Sequence, residues 1–274
     1  MSKTKQSNSH FNEGSEKVLY RSTLYGALAL AFHSPTGKTF KLLNSDTTRN
    51  FIVQAACFLE TDFKENPCDD PEPLQEDRPL DFGHSAGAWV STFSQLDLDA
   101  LRGDHGRLFG HTARGTVTPY ETEYGQQGLF QQPQQLANLT GFYRAFGLKV
   151  RQDERERPDH IACQLEFEEF LARKQAYALS QGDDVMLEES QRATRLFMRN
   201  HLGRFGRAFG YRLGKADSGG FLGLAGDFLF DFLTLECRRL KIEAGPTSLA
   251  LRSPEEDNVP MACSSESDLV QIEG

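Results

Sequence analysis

The apolar residues of this chain are of a restricted kind. Phenylalanine occurs 21 times and leucine is abundant, whereas isoleucine stands only at Ile52, Ile161, Ile242 and Ile272 and valine is scarce. Side chains branched at Cβ favour the pleated surface of a sheet, and unbranched ones keep more rotamer freedom in a helix. A chain so poor in the former is expected to be helical throughout. With 38% hydrophobic residues in 274, it can bury a substantial core in one large or two small domains, which excludes global disorder. Its formal net charge of −9 lacks the basic footprint of a nucleic-acid binder.

The five cysteines, Cys57, Cys68, Cys163, Cys237 and Cys263, show no C-x-x-C spacing, which speaks against a disulfide framework and a zinc site and for a reducing cytoplasm. The polar start, Met1 to Glu16, has no apolar signal region, and no window approaches the roughly 18 apolar residues of a membrane span. No membrane insertion is expected.

Apolar spacing predicts a folded part at 16–245 between mobile tails at 1–15 and 246–274, the latter acidic. Helices are expected at 16–32, 50–63, 86–96, 98–109, 133–147, 158–180, 184–213 and 221–244. Asp97 is placed to cap the fourth, and Pro133 and Pro158 sit where a first-turn proline is tolerated. The acidic, proline-rich stretch 66–78 reads as a surface loop, and the glycine-bearing stretch 110–128 as an ordered loop lining something.

Several motifs dissolve on inspection. Thr36-Gly37-Lys38-Thr39 ends like a phosphate-binding loop but has Phe32 where that loop needs glycine, and a helix precedes it. Gly203, Gly206 and Gly210 have the wrong spacing for a dinucleotide fingerprint and suit close helix packing. Trp89 reads as core or as the wall of a groove. His105 and His111 lack ligand spacing, and no nucleophile elbow occurs.

Two segments invite a functional reading. In the first, Leu108-Phe109-Gly110 is followed by Pro119-Tyr120-Glu121 and Tyr124, which gathers aromatic faces, hydroxyls and acids on one loop. Tyrosine gives a large contact at low entropic cost, so the loop suits peptide binding, or the same residues tie it to the core. In the second, Glu154 to His160, Pro158 starts a helix with Asp159 in its first turn and His160 beside it, ahead of Leu165, Glu166 and Phe167. Asp159 either caps the helix or, with His160 at an exposed helix entrance, senses a partner's charge.

In their order and spacing these segments resemble the TorD/DmsD family of molybdoenzyme assembly chaperones, which includes the nitrate-reductase delta-like proteins. L-F-G then P-Y-E-x-x-Y (Leu108–Gly110, Pro119–Tyr124), E-x-P-D-H (Glu156–His160), the first helix from Tyr20-Arg21 to Phe32, and Phe197–Phe205 carry the likeness. The larger size resembles the delta proteins of dimethyl-sulfide, ethylbenzene, chlorate or selenate enzymes.

The resemblance implies one all-α, multi-helix TorD-like domain with a hinge-like segment near 148–160. It also implies a cytoplasmic, non-enzymatic chaperone that binds the twin-arginine signal peptide and immature catalytic subunit of a molybdopterin oxidoreductase. The chaperone holds no cofactor of its own and holds back export until the client's bis-molybdopterin guanine dinucleotide is inserted; it is absent from the finished complex. Carried onto this chain, Pro158, Asp159 and His160 are expected to meet the signal peptide. Tyr120, Glu121, Tyr124, Phe109 and Glu166 are expected to line the neighbouring groove, carboxylates facing basic residues. The rivals are a small hydrolase using His160 with Asp159, and a structural helical adaptor.

Overall fold

A computed structural model describes residues 3–65, 81–110, 115–125, 132–150 and 157–252, with side chains from Gly14 onward. The loop expected at 66–78 lies outside the described residues, as do Glu154, Arg155 and Glu156. Ten α-helices make up the described residues, with no named strand: α1 (Lys3–Phe32), α2 (Gly37–Leu43), α3 (Asp46–Glu65), α4 (Phe82–Ser91), α5 (Leu98–Phe109), α6 (Gln132–Ala145), α7 (Ile161–Gln181), α8 (Asp184–Asn200), α9 (Leu202–Ala216) and α10 (Phe221–Arg239). Short 3-10 turns cover Thr92–Gln95 and Glu121–Glu123.

The helices form a single domain in which α1 lies against α7 and α9 against α10, with α3 and α4 closing one side and α8 bridging α7 to α9. Its core is built from phenylalanine. Phe82, Phe228 and Phe232 stack, Trp89 packs on Phe93, Phe221 and Phe228, and Phe167 meets Phe142, Phe146 and Phe197 at the α6–α7–α8 junction. Trp89 is fully buried. Small residues let α9 and α10 approach. A Cβ built at Gly210 would lie 2.5 Å from the Gly226 carbonyl oxygen, and one at Gly226 2.8 Å from that of Gly210. Gly210 therefore serves the close packing its spacing suggested.

Several boundaries differ from the sequence-based reading. Helix α1 starts at Lys3 because no proline or glycine interrupts its first ten residues, so the expected tail at 1–15 is largely helical. The single helix expected at 184–213 breaks at His201, whose backbone (φ −130°, ψ −93°) leaves the helical region, and α9 resumes at Leu202. Helix α2, seven residues between Thr36 and Asn44, is held by a Thr36–Thr39 capping box. Asp97 caps α5 as expected, accepting from the amides of Asp99 and Ala100. Residues 246–252 are not a free tail but run back along the domain: the Gly125 amide donates to Ala250 O (2.8 Å) and the Arg252 amide to Glu123 O (3.0 Å).

Where α1, α7 and α10 meet, charge is buried. Glu236 accepts from Arg21 (3.0 Å), Tyr25 (3.0 Å) and Arg239 (2.6 Å). Burial would raise its pKa, but Arg239 and Arg21 outweigh that and hold the carboxyl at about 2. Glu168, 1% exposed, has no arginine hydrogen-bonded to it among the described residues, and its Oε1 accepts no hydrogen bond. Burial, aided by nearby Glu236, pushes this carboxyl well above the usual range, against a hydrogen bond from Thr194 and the charge of Arg239. The unfolded group ionises above about pH 4.3 while the folded one keeps its proton, so its contribution to stability is present below that pH and is lost as pH rises. Urea unfolding of Glu168→Gln, whose amide never ionises, should give a stability difference from wild type that shifts in the variant's favour between about pH 4.5 and about pH 7.5. A constant difference would contradict the assignment.

Candidate functional site

The two segments singled out in the sequence are brought together. After α5, Gly110 takes a left-handed φ of 75°, and the chain doubles back so that the Val117 amide donates to Leu108 O (2.8 Å). Residues 118–122 then run antiparallel to the approach to α7. The Ile161 amide donates to Pro119 O (2.8 Å) and the Glu121 amide to Asp159 O (3.0 Å), forming a bridge between Tyr120 and His160.

Asp159 locks this pairing. It is fully buried, and its carboxylate accepts from the Thr122 amide (3.2 Å), Thr122 Oγ1 (2.8 Å), Arg157 Nε (3.0 Å) and an Arg157 terminal nitrogen (2.9 Å). The Arg157 guanidinium also lies 4.5 Å above the Tyr120 ring and 3.6 Å from Glu123. Tyr143 of α6 donates to Pro158 O (2.8 Å). The expected helix start at Pro158 is thus shifted: α7 begins at Ile161, and Pro158 and Asp159 precede it. His160 is the N-cap, its Nδ1 accepting from the Ala162 amide (3.1 Å).

His160 is only 3% exposed and stacks on His33 at 6.3 Å. Burial, reinforced by His33, His105 and Arg157, pushes its pKa well below the ordinary imidazole value. A neutral ring fits its role as acceptor. The exposed helix entrance expected at Asp159 and His160 is therefore corrected: both are interior, held there by the hydrogen bonds that pair the loop with α7. They do not form a catalytic dyad either, since the Asp159 carboxylate is committed to Thr122 and Arg157 and the cap fixes His160.

Glu121 is likewise buried. It accepts from Gln164 (2.8 Å) and faces His201 Nδ1 (3.1 Å), while His201 Nε2 meets Asn138 of α6 (3.0 Å). Tyr124 donates to Thr118 O (2.8 Å) and packs on Phe205; burial raises its hydroxyl pKa. Phe109 is core, against His105 and Phe209. Of the expected contact residues, Pro158, Tyr120 and Glu166 reach the surface, Glu166 pairing with His33 (2.9 Å).

Beside the loop lie two adjoining clefts of about 320 and 310 Å³ that share Glu121, Gln135 and Arg204. One runs to Tyr124, Phe205 and Leu249, the other to Asn138, Asn200 and His201. The helix break at His201 was not legible as a boundary, and neither was the returning segment 249–252 that closes one rim. Arg157 and Thr122 were also missed as partners of Asp159; the only signal for them was proximity to the motifs. Among the described residues no group of three or more His, Cys, Asp or Glu could hold a metal, and no helix is long and apolar enough to cross a membrane.

Removing the Asp159 carboxylate leaves Thr122 and the half-exposed Arg157 without their acceptor. Asp159→Ala should lower the unfolding free energy in urea by about 2–3 kcal/mol, and Asp159→Asn, which keeps an acceptor oxygen, by less. A loss below about 0.5 kcal/mol for the alanine variant would contradict a locking role.

Residues 75–210, about half of the chain, match the family described as nitrate reductase delta subunit. The chain is 33% identical over 109 residues to the selenate reductase assembly chaperone protein of Thauera selenatis (38% of this chain, 52% of the relative). It is 37% identical over 102 residues to the chlorate reductase assembly chaperone protein of Ideonella dechloratans (36% and 49%). Identity is 37% over 83 residues to the perchlorate reductase assembly chaperone protein of Dechloromonas aromatica strain RCB (30% and 35%). The chain thus spans about half the length, or less, of the curated relatives it matches. No solved structure matches it. The family match takes in the loop, the Asp159 lock, Glu166 and the helix break at His201, and the chain belongs to the TorD-like nitrate reductase delta family, whose relatives named above are assembly chaperones.

Proposed function

We propose that the chain is a cytoplasmic maturation chaperone for the catalytic subunit of a molybdopterin oxidoreductase. In this reading it binds the subunit's twin-arginine signal peptide and delays export until the client's bis-molybdopterin guanine dinucleotide is in place. It needs no cofactor itself and leaves before the enzyme is complete. The observation that carries the reading is the likeness to three reductase assembly chaperones over a stretch of 83 to 109 residues.

The surface chemistry supports it. Glu166, Glu169 and Phe170 follow at steps of three and four on α7 and so share one face, with Glu166 exposed and Glu169 half-buried. Phe170 packs on Phe146, and Leu148 and Val150 continue this partly buried apolar edge. An apolar edge bordered by carboxylates suits a segment that carries paired arginines beside a hydrophobic run. Tyr120, under the Arg157 guanidinium, packs edge-on against His160 at the start of α7. Asp159, His160, Glu121 and Tyr124 then act by holding the loop in place, since their polar atoms are committed inside. Retention of the client through a modest, partly electrostatic affinity leaves it free to be handed on.

Calorimetry with a twin-arginine signal peptide tests this. Binding should weaken with salt, and Glu166→Ala with Glu169→Ala together should reduce affinity about tenfold, equivalent to about 1.4 kcal/mol. Absent affinity, or affinity unchanged by the two substitutions, would overturn the reading.

A further inference from the structure

The α7 face that carries Glu166 and Glu169 is built in part by α1, which packs along it. Two rungs join the helices: the Glu169 carboxyl lies over Gly26, and Glu166 pairs with His33. Residue numbers rise on one helix as they fall on the other, so α1 and α7 run antiparallel.

Gly26 stands in the interior of α1, where glycine costs helix stability relative to alanine. It does not take a left-handed φ, so no turn requires it. Its neighbour does. The three atoms nearest to a Cβ built there are Cδ, Oε2 and Oε1 of Glu169, at 3.0, 3.2 and 3.3 Å. A larger side chain would take the place of that carboxyl group.

Seven residues on, at the end of the same helix face, His33 donates from Nε2 to Oε1 of Glu166 (2.9 Å). Its amide still donates to Ala29 O (3.0 Å) in helical fashion, and His160 stacks behind its ring. His33 engages one oxygen of an exposed carboxylate and leaves the rest of the group facing solvent. Glu169, half-buried, has exposed Arg173 at 3.6 Å, a loose surface pair that a ligand's cation can replace. Burial raises the Glu169 pKa against the charge of Arg173, and the like charge of Glu166 adds to the rise. The two carboxylates therefore repel each other, and a pair of cations relieves both.

We propose that Gly26 and His33 are positioning residues that hold the Glu169 and Glu166 carboxylates as a two-point seat, so that this face selects two neighbouring guanidinium groups over one. Gly26 gives one carboxylate room to lie against α1, and His33 aims the other. The inference rests on the α7 face being the signal-peptide site and adds the helix that sets its specificity.

Calorimetry compares a twin-arginine signal peptide with one whose second arginine is glutamine. Wild type should bind the paired peptide at least about fivefold more tightly, and Gly26→Leu and His33→Leu should each cut that preference to about twofold or less. His33→Gln, whose amide still donates to Glu166, should retain most of it. Urea unfolding separates positioning from packing: Gly26→Leu gains helix propensity and should keep or exceed the wild-type midpoint, whereas a lowered midpoint would assign Gly26 to packing and overturn its role here. A wild type that binds neither peptide would remove the proposed function and this inference together. Binding of the paired peptide with a preference unchanged in both leucine variants would overturn this inference alone, as would equal affinity of wild type for the two peptides.

Discussion

The buried carboxylate of Asp159 is the point on which the site depends. A charge with no exposure to water is tolerable only if its oxygens are filled by donors, and here all four come from two neighbours, Thr122 and Arg157. Thr122 belongs to the loop after α5 and Arg157 to the approach to α7, so the same bonds that satisfy the charge join two segments far apart in sequence. The backbone bridge between Tyr120 and His160 follows, and with it the position of Glu121 over His201. Through His201 the loop reaches the break between α8 and α9, and through Glu123 it reaches the returning segment at 251–252.

This arrangement separates holding from contact. Asp159, His160, Glu121 and Tyr124 spend their polar atoms inside the protein, so their chemistry shapes the surface rather than meeting a partner. What remains outside is a face of α7 with Glu166 and Glu169, a phenylalanine-lined edge, and the aromatic Tyr120 braced by Arg157. The chaperone role proposed above would need such a division, because its contacts must form and release while its frame stays fixed.

The helical class was legible in the sequence because the scarcity of β-branched residues and the 3- and 4-residue steps of phenylalanine and leucine act locally. Asp97 and Gly210 were legible for the same reason: a cap and a close approach are decided by near neighbours. The break at His201 was not, because the residues around it keep helical spacing and the kink is fixed by Glu121 and Asn138 from other elements. The burial of Asp159 and His160 was missed for the opposite reason. A proline followed by an acid reads as an exposed helix start, and only the pairing with residues 119–122 turns it inward. Composition likewise suggested a free tail after Gly245, whereas Ala250 and Arg252 supply ladder bonds to the loop.

If Asp159 makes the loop, the entrance to α7 and the returning segment one unit, their amides should open together. Native-state hydrogen exchange at Glu121, Ile161, Gly125 and Arg252 reads this directly, since all four donate across the joined segments. The account predicts similar opening free energies at the four positions, all falling together in Asp159→Ala. Fast exchange at Gly125 and Arg252 beside slow exchange at Ile161, unaffected by that substitution, would contradict it.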